Sequence, residues 1–489
     1  LLGYGLMFRL VDGVAGPRPL RRAALLGWLT GFAYFVVSLL WIAQPFEVDA
    51  RDQGWMAPFA DPALSAVLAL FWAAAACLYR AIASRGVLRA LTFAACLTLA
   101  EWLRGHVLTG FPWDLPGESW AAGTPMSQAA SLVGAYGLTW LTLAGVGLLA
   151  LVAEGRGGRV VALSAVVAAL GLYGWGAARI ARAPSVPPGA PRVRIVQADV
   201  KQDSKYDEAM FGGIVQRYVA LTRRAAPAPP AVVVWPEGAI PAAFEDYLAP
   251  GAWPRAAIAG ALEPGETLIL GGYRLAEGMP GAEIAFNSAI ALTAAGGEPR
   301  VEAVYDKYRL VPFGEYMPMD GLMSRLGVKQ LVHVGEGFSA GPRPRPRRLA
   351  GLPPAQILIC YEALYPGFTR EGARMSGFRP AWIVNISNDA WFGAGVGPRQ
   401  HLNMARYRAI EEGLPMARAT PTGVSAMIDA LGRIAPGQRL DEGAFGVIDA
   451  PLPAALPPTL YDAVGDGALF AMMAISLAGA RRPRFGARV

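Results

Sequence analysis

Cysteine, histidine and lysine are all scarce in this chain of 489 residues, and each scarcity excludes a class of chemistry. The three cysteines are Cys77 and Cys96, both inside apolar runs, and Cys360 in the polar half. They cannot build a disulfide framework or a cysteine metal cluster. The three histidines, His106, His333 and His401, are scattered and offer no zinc-ligand spacing. Charged residues are only 17% of the chain, below the roughly 25% of an average soluble domain. The net charge of +7 is almost wholly arginine, because Lys201, Lys205, Lys307 and Lys329 are the only lysines among 44 basic residues. The sequence has no basic stripe interleaved with aromatics, no phosphate loop, no dinucleotide fingerprint and no internal repeat. Nucleic acid is therefore not an expected partner, and neither a cofactor nor a metal is expected.

Hydrophobic residues, at 54%, are abundant, and the mean hydropathy is +0.34. A chain of this length and composition divides naturally into a membrane part and a water-facing part. Residues Ala23 to Phe46, Pro62 to Tyr79, Trp120 to Ala153 and Val160 to Ala178 are free of charge, each long enough for a spanning helix of about 18 residues or more. Ala90 to Leu108 is apolar but carries Glu101, Arg104 and His106, and Gly467 to Ala480 is a shorter candidate. Leu1 to Leu10 reads as the end of a further span whose start precedes this sequence.

Loop charges predict the orientation. Arg18, Arg21 and Arg22, then Arg80, Arg85 and Arg89, then Arg156 and Arg159, and last Arg481, Arg482 and Arg484 mark alternate ends as cytoplasmic. The loops holding Glu47, Asp49 and Asp52, and Asp114 and Glu118, fall on the opposite side together with the long polar segment. The expected domains are transmembrane helices over 1–180, a periplasmic domain over 181–461, and a last helix with a cytoplasmic tail over 462–489. An oxidising compartment suits a domain holding one cysteine with no partner for it.

The polar domain reads as α/β. Strands are expected at Val193 to Val200, Ala231 to Trp235, Thr267 to Tyr273, Ser288 to Leu292, Ala303 to Tyr305, Gln356 to Cys360 and Ala381 to Ile386. Helical patterns lie at Glu208 to Arg224 and Gln400 to Glu412. Apolar runs without polar alternation imply strands buried on both faces, with helices covering the sheet.

Three residues stand at the ends of such runs: Glu237 in VVVWPEGAIP, Lys307 in AVYDKYRLVPFGEY and Cys360 in ILICYEALYP. A thiol nucleophile needs a base for its proton, and the oxyanion it creates needs positive charge. Each has a plainer reading, as a helix-capping acid, a surface lysine and a buried structural cysteine. A lysine in so arginine-rich a chain points to a need for a compact ammonium.

The Glu-Lys-Cys set in these contexts resembles the carbon-nitrogen hydrolase (nitrilase) superfamily. With the apolar segments on either side, nearly the whole chain resembles the apolipoprotein N-acyltransferase family of bacterial membranes. The resemblance implies a nitrilase-like αββα sandwich attached to an α-helical transmembrane bundle. It also implies Glu237 as base, Lys307 as oxyanion stabiliser and Cys360 as nucleophile, with Glu315, Tyr361, Glu362, Asn287 and Asn388 in support. Tyr206 stands where the family often carries tryptophan, and Glu101 and Arg104, three apart in an apolar helix, are functional suspects in the membrane half.

The implied partners are a phospholipid acyl donor, a diacylglyceryl apolipoprotein acceptor and the bacterial inner membrane. The implied reaction carries an acyl chain, from sn-1 of phosphatidylethanolamine, through a thioester to the acceptor's α-amine. A membrane-tethered amidase or nitrilase, or a non-catalytic lipid-binding protein, are the other readings. Met317, Met319, Leu322, Met323, Leu326 and Leu331 form an apolar loop expected to rest on the membrane and admit lipid to Cys360. A carboxylate near apolar walls is expected to have a raised pKa, which concerns Glu237.

Overall fold

The computed structural model describes residues 1–48, 50–82, 84–202, 205, 207–277, 283–295, 297–318 and 337–478. Tyr206, the stretch 319–336 with most of the apolar loop, and the arginines after 480 lie outside the described residues. The chain forms two compact units.

One unit comprises Leu1–Ala43, Met56–Ala183 and the described residues from Pro458 onward. Among the described residues, four helical stretches are long and apolar enough to cross a membrane: Pro19–Ser38, Gly54–Ile82, Met126–Ala153 and Gly155–Ala181. Shorter helices are Leu2–Asp12, Leu88–Arg104 and Gly467–Ala478. Small residues let the first two spans approach closely, since a Cβ at Gly27 would lie 2.8 Å from that of Ala76. At one end of the bundle Arg89 pairs with Asp12 and Glu154, and Arg9 also reaches Glu154 at 2.7 Å. At the other end the Tyr34 hydroxyl donates to the Asp114 carbonyl at 2.9 Å. The segments around Asp12, Arg80 and Arg89, and Glu154, which adjoin three of the arginine-bearing loops, thus share an end, away from Asp114.

Two windows are shorter as helices than as apolar runs. The first span stops at Ser38 and passes through the 3-10 turn Leu40–Ala43 into a short helix, Gln44–Val48. Gln44–Trp55 packs with the second unit, although it lies inside the sequence of the membrane half. Polar Gln44 has a partner surface there, as its side chain lies against Gly393. Residues 120–125 are not helical, because Gly123 has φ +81° and Pro125 follows; the helix Ala130–Ala150 is itself kinked at Gly134, where φ is +71°.

The second unit, Gln44–Trp55 with Pro184–Pro457, holds two sheets. In the first, β1 (Arg192–Gln197), β2 (Val232–Val234) and β3 (Thr267–Glu277) run parallel, β4 (Glu283–Ala295) and β5 (Glu298–Asp306) continue antiparallel, and β11 (Gly446–Pro451) closes the β1 edge. In the second, β6 (Ala355–Ile359), β7 (Trp382–Ile386) and β8 (Met416–Ala419) are parallel, with β9 (Ser425–Ile428) and β10 (Ile434–Leu440) antiparallel beyond them.

Alternation along the strands builds the layers. Val193, Ile195, Val232, Val234 and Ile269 face Ile357, Ile359, Trp382 and Val384 in one core between the sheets. Their neighbours Val196, Val233, Trp235 and Leu268 face the other way, onto helix Glu208–Thr222 through Ile214, Val215 and Tyr218. Every residue of β6, β7 and β8 is buried, as strands covered on both faces must be. Helix Phe368–Ser376 lies against β6, and helix Val396–Glu412 is buried along most of its length. The order helix, sheet, sheet, helix is the expected sandwich, and its parallel strands end where Glu237, Cys360 and Asn388 begin.

Candidate active site

Glu237, Lys307 and Cys360 come from β2, β5 and β6, and the fold brings them together in a buried cluster. Lys307 follows the last residue of β5, and its N–H donates to the Asn287 carbonyl at 2.8 Å. Its Nζ lies 3.3 Å from Glu237 Oε1 and 2.9 Å from Glu315 Oε1. Asn287 Nδ2 donates to the same two oxygens, at 2.7 and 2.6 Å. Two carboxylate oxygens are therefore bridged by one ammonium and one amide, which compensate their burial away from water. Glu315 is fixed further by the Val311 N–H on Oε2, at 2.8 Å.

Burial alone would raise the Glu237 pKa, but the Lys307 charge, hydrogen bonds from Asn287 and Cys360, and the Lys205 charge hold it below the ordinary carboxylate value. The expected raised value is thus corrected: a cation beside a buried carboxylate outweighs its apolar walls. Among the described residues its Oε2 takes no N–H or O–H donor, and the Cys360 thiol interacts with this carboxylate. Cys360 is pushed the opposite way, up, by burial and by the Glu237 charge, with Lys307 opposing. The resting pair is a neutral thiol beside an ionised carboxylate.

β6 ends at Ile359, one residue before the expected end, and Cys360 opens a tight 3-10 turn, Cys360–Leu364. Its φ of +50° is left-handed, a conformation costing a non-glycine residue about 1–2 kcal/mol. Such a turn carries its side chain beyond the edge of a sheet, where a reacting group could meet it. Glu362 braces it. Its Oε2 accepts the Ile359 N–H at 2.8 Å; its Oε1 accepts the Tyr305 hydroxyl and Tyr308 N–H, each at 2.8 Å, and the Arg309 N–H at 3.2 Å. One buried carboxylate therefore ties the segment after Lys307 to the segment before Cys360. Tyr361 packs edge-on to Tyr365, whose ring carries the Arg309 guanidinium at 4.2 Å. Asn388, at the end of β7, donates to Gln202 Oε1 at 2.8 Å.

Residues 1–148 match the family model described as apolipoprotein N-acyltransferase N-terminal domain, and residues 192–456 match the carbon-nitrogen hydrolase model. The chain is 50% identical over 487 residues to the apolipoprotein N-acyltransferase of Caulobacter vibrioides, covering 99% of this chain and 91% of the relative. It is 41% identical over 489 residues to that of Bradyrhizobium diazoefficiens, covering 97% and 89%.

The chain belongs to the apolipoprotein N-acyltransferase family.

It is accordingly a membrane protein with a nitrilase-type catalytic fold. Glu101 and Arg104 do not join this cluster. Both side chains are fully buried in the helical unit, where they pair with each other. Trp72 Nε1 donates to Glu101 at 2.5 Å, and Arg104 donates to the Phe111 carbonyl. They join two helices and a loop and expose no surface to lipid.

Sequence reasoning gave no role to Lys205, nor to His401 and Arg418, which form a buried group with Ser387 and Asp389 of the loop after β7. Lys205 is pulled down to about 8 by burial, against the Glu237 charge that favours its ammonium. Its Nζ sits so close to the loop after Glu237 that a Cβ at Gly238, where φ is +56°, would lie 2.6 Å from it. The rarity of lysine was the available signal for Lys205, and the site now holds two of the four.

Proposed function

We propose that this chain transfers an acyl chain from a phospholipid, the sn-1 chain of phosphatidylethanolamine, to the N-terminal α-amine of a diacylglyceryl-cysteine apolipoprotein. The observation that carries this reading is the Glu237 carboxylate, bridged by Lys307 and Asn287, beside the buried Cys360 thiol. Sulfur attacks the ester carbonyl carbon as its proton passes to Glu237, and Lys307 stabilises the oxyanion. Because the carboxylate has a low pKa and the thiol a high one, proton transfer runs with the attack and no stable thiolate precedes it. Collapse expels the lysophospholipid oxygen, which takes the proton from Glu237, and leaves a Cys360 thioester. The acceptor amine then attacks the thioester, Glu237 removes a proton from nitrogen, and the departing sulfur recovers it.

The catalytic unit is proposed to face the periplasm from the bacterial inner membrane, a reading supported by three arginine-bearing loops gathered at one end of the bundle. Incubation of the purified enzyme with phospholipid alone, read by intact mass, tests the reaction. A stable acyl adduct on Cys360, discharged by an amine acceptor, is the expected result. Turnover to free fatty acid without an adduct that amines discharge would make the chain a hydrolase instead.

A further inference from the structure

Behind the nucleophile lies a polar group with no assigned task. His401, Asp389, Arg418, Ser387 and Asn385 are all at most 1% exposed. They come from helix Val396–Glu412, the end of β7 and β8. Arg418 NH2 lies 2.7 Å from Asp389 Oδ2, Ser387 Oγ donates to Asp389 Oδ1 at 2.7 Å, and Arg418 also holds Asn385 Oδ1. Burying an arginine, an aspartate and an imidazole together is expensive unless each is held by partners. Here they are, and the chain of contacts ends on the nucleophile: His401 Nε2 is 3.3 Å from the Cys360 carbonyl oxygen.

The chemistry fixes the proton. A carbonyl oxygen only accepts, so Nε2 carries the hydrogen. Nδ1 lies 3.2 Å from Arg418 NH2 and 3.0 Å from Asp389 Oδ1, so both fix that edge of the ring. Burial and the Arg418 charge, against Asp389, keep the His401 pKa below its ordinary value, in keeping with a neutral ring. Phe392 packs edge-on against that ring, with centroids 5.4 Å apart. The imidazole is therefore clamped on one edge and presents a single donor on the other. That donor meets the carbonyl of the residue whose φ is +50°, a conformation that needs outside restraint.

We propose that His401 is a positioning residue for the nucleophile: its Nε2–H holds the Cys360 carbonyl, and so the left-handed turn that aims the thiol at Glu237, while Asp389 and Arg418 fix the ring. The proposal rests on Cys360 being the nucleophile, and its test separates the two ideas.

Two substitutions divide the ring's functions. In His401→Gln the amide nitrogen reaches the place of Nε2 and keeps the donor to Cys360. In His401→Asn the shorter amide replaces Nδ1, keeps a contact to Arg418 and loses Cys360. Acyl-adduct formation is measured by intact mass in a single turnover, alkylation of Cys360 by iodoacetamide without lipid, and thermal unfolding, on the full chain in detergent.

The expected result is that Asn slows acylation by about 10²-fold, the cost of misplacing a reacting group by about an ångström, while Gln stays within about tenfold of wild type. Alkylation should follow the same order, with Asn changed and Gln near wild type, and unfolding temperatures should be similar. Equal rates for the two variants, or losses that simply track unfolding temperature, overturn the proposal. Should the Asn variant not fold, a folded Gln variant slowed more than about tenfold overturns it, and one within that range supports it. If wild type itself forms no acyl adduct, the proposed reaction fails instead, and the alkylation order alone decides the role of His401.

Discussion

Replacing Lys307 by arginine or by methionine separates its charge from its shape. The ammonium is 1% exposed and touches two carboxylates, at 3.3 Å from Glu237 and 2.9 Å from Glu315. At an effective dielectric of about 20, each attraction is about 5 kcal/mol, an upper figure before the desolvation of both ions is subtracted. Lys307→Arg keeps the charge but must fit a broad planar guanidinium where Asn287 already bridges the same two oxygens. Overpacking of this kind costs about 1–3 kcal/mol, and a displaced donor costs about 10²-fold or more in oxyanion stabilisation. Lys307→Met keeps the length and removes the charge, leaving Asn287 between two facing carboxylates. Burial then dominates and the Glu237 pKa rises.

The assay is single-turnover acylation of Cys360 followed by intact mass across a pH series. In wild type the base stays ionised below the ordinary carboxylate range, so the acid-side loss of rate lies at low pH. In Lys307→Met the residual rate should be lost at higher pH, because the folded-state pKa of Glu237 has moved up. An arginine variant within about threefold of wild type would show that a donor at this spot is not stabilising an oxyanion. A methionine variant with an unmoved acid side would refute the electrostatic account of Glu237.

Cys360→Ser should form no acyl adduct while unfolding as wild type does, since a hydroxyl fits the site but is a far weaker nucleophile; substantial lipoprotein mass shift by this variant removes Cys360 from its role. Glu362→Gln should keep its amide oxygen on the Tyr305 side and turn its NH2 toward the Ile359 N–H, two donors facing each other. The unsatisfied donor costs about 1–3 kcal/mol. Thermal unfolding should fall and acylation slow together, and unchanged unfolding would show that the brace is not needed. Burial would raise Asp389, but the Arg418 charge and the hydrogen bond from Ser387 hold it well below its usual range. The folded pKa is thus lower than the unfolded value of about 4, so its stabilisation is present above that value and is lost as pH falls through the folded pKa. Acid unfolding followed by tryptophan fluorescence should lose part of its steepness in Asp389→Asn, with the neutral plateau lower by about 3–5 kcal/mol because Arg418 is left unpaired. An unchanged plateau would mean that the buried ions contribute nothing.

The fold was legible where burial leaves a pattern in one stretch of chain. Val232, Val233 and Val234 announce a strand covered on both faces, and the windows around Leu68 and Val166 announce helices among lipid, because apolarity alone specifies them. Strands β8 to β11 were not seen. Met416–Ala419 contains Arg418, and Ile434–Leu440 contains Pro436 and Gly437, so neither reads as a β-branched apolar run. The same rule divides the site. Glu237, Lys307 and Cys360 stand at strand ends, where a polar residue after an apolar run is conspicuous in the sequence. His401 and Arg418 lie within a helix and a strand, and each looks like an ordinary surface residue until the fold buries it. Their cost of burial is offset by one another across 17 positions of sequence, a coupling that no local window contains. For that reason the atoms that would hold the backbone of Cys360 were invisible while Cys360 itself was not.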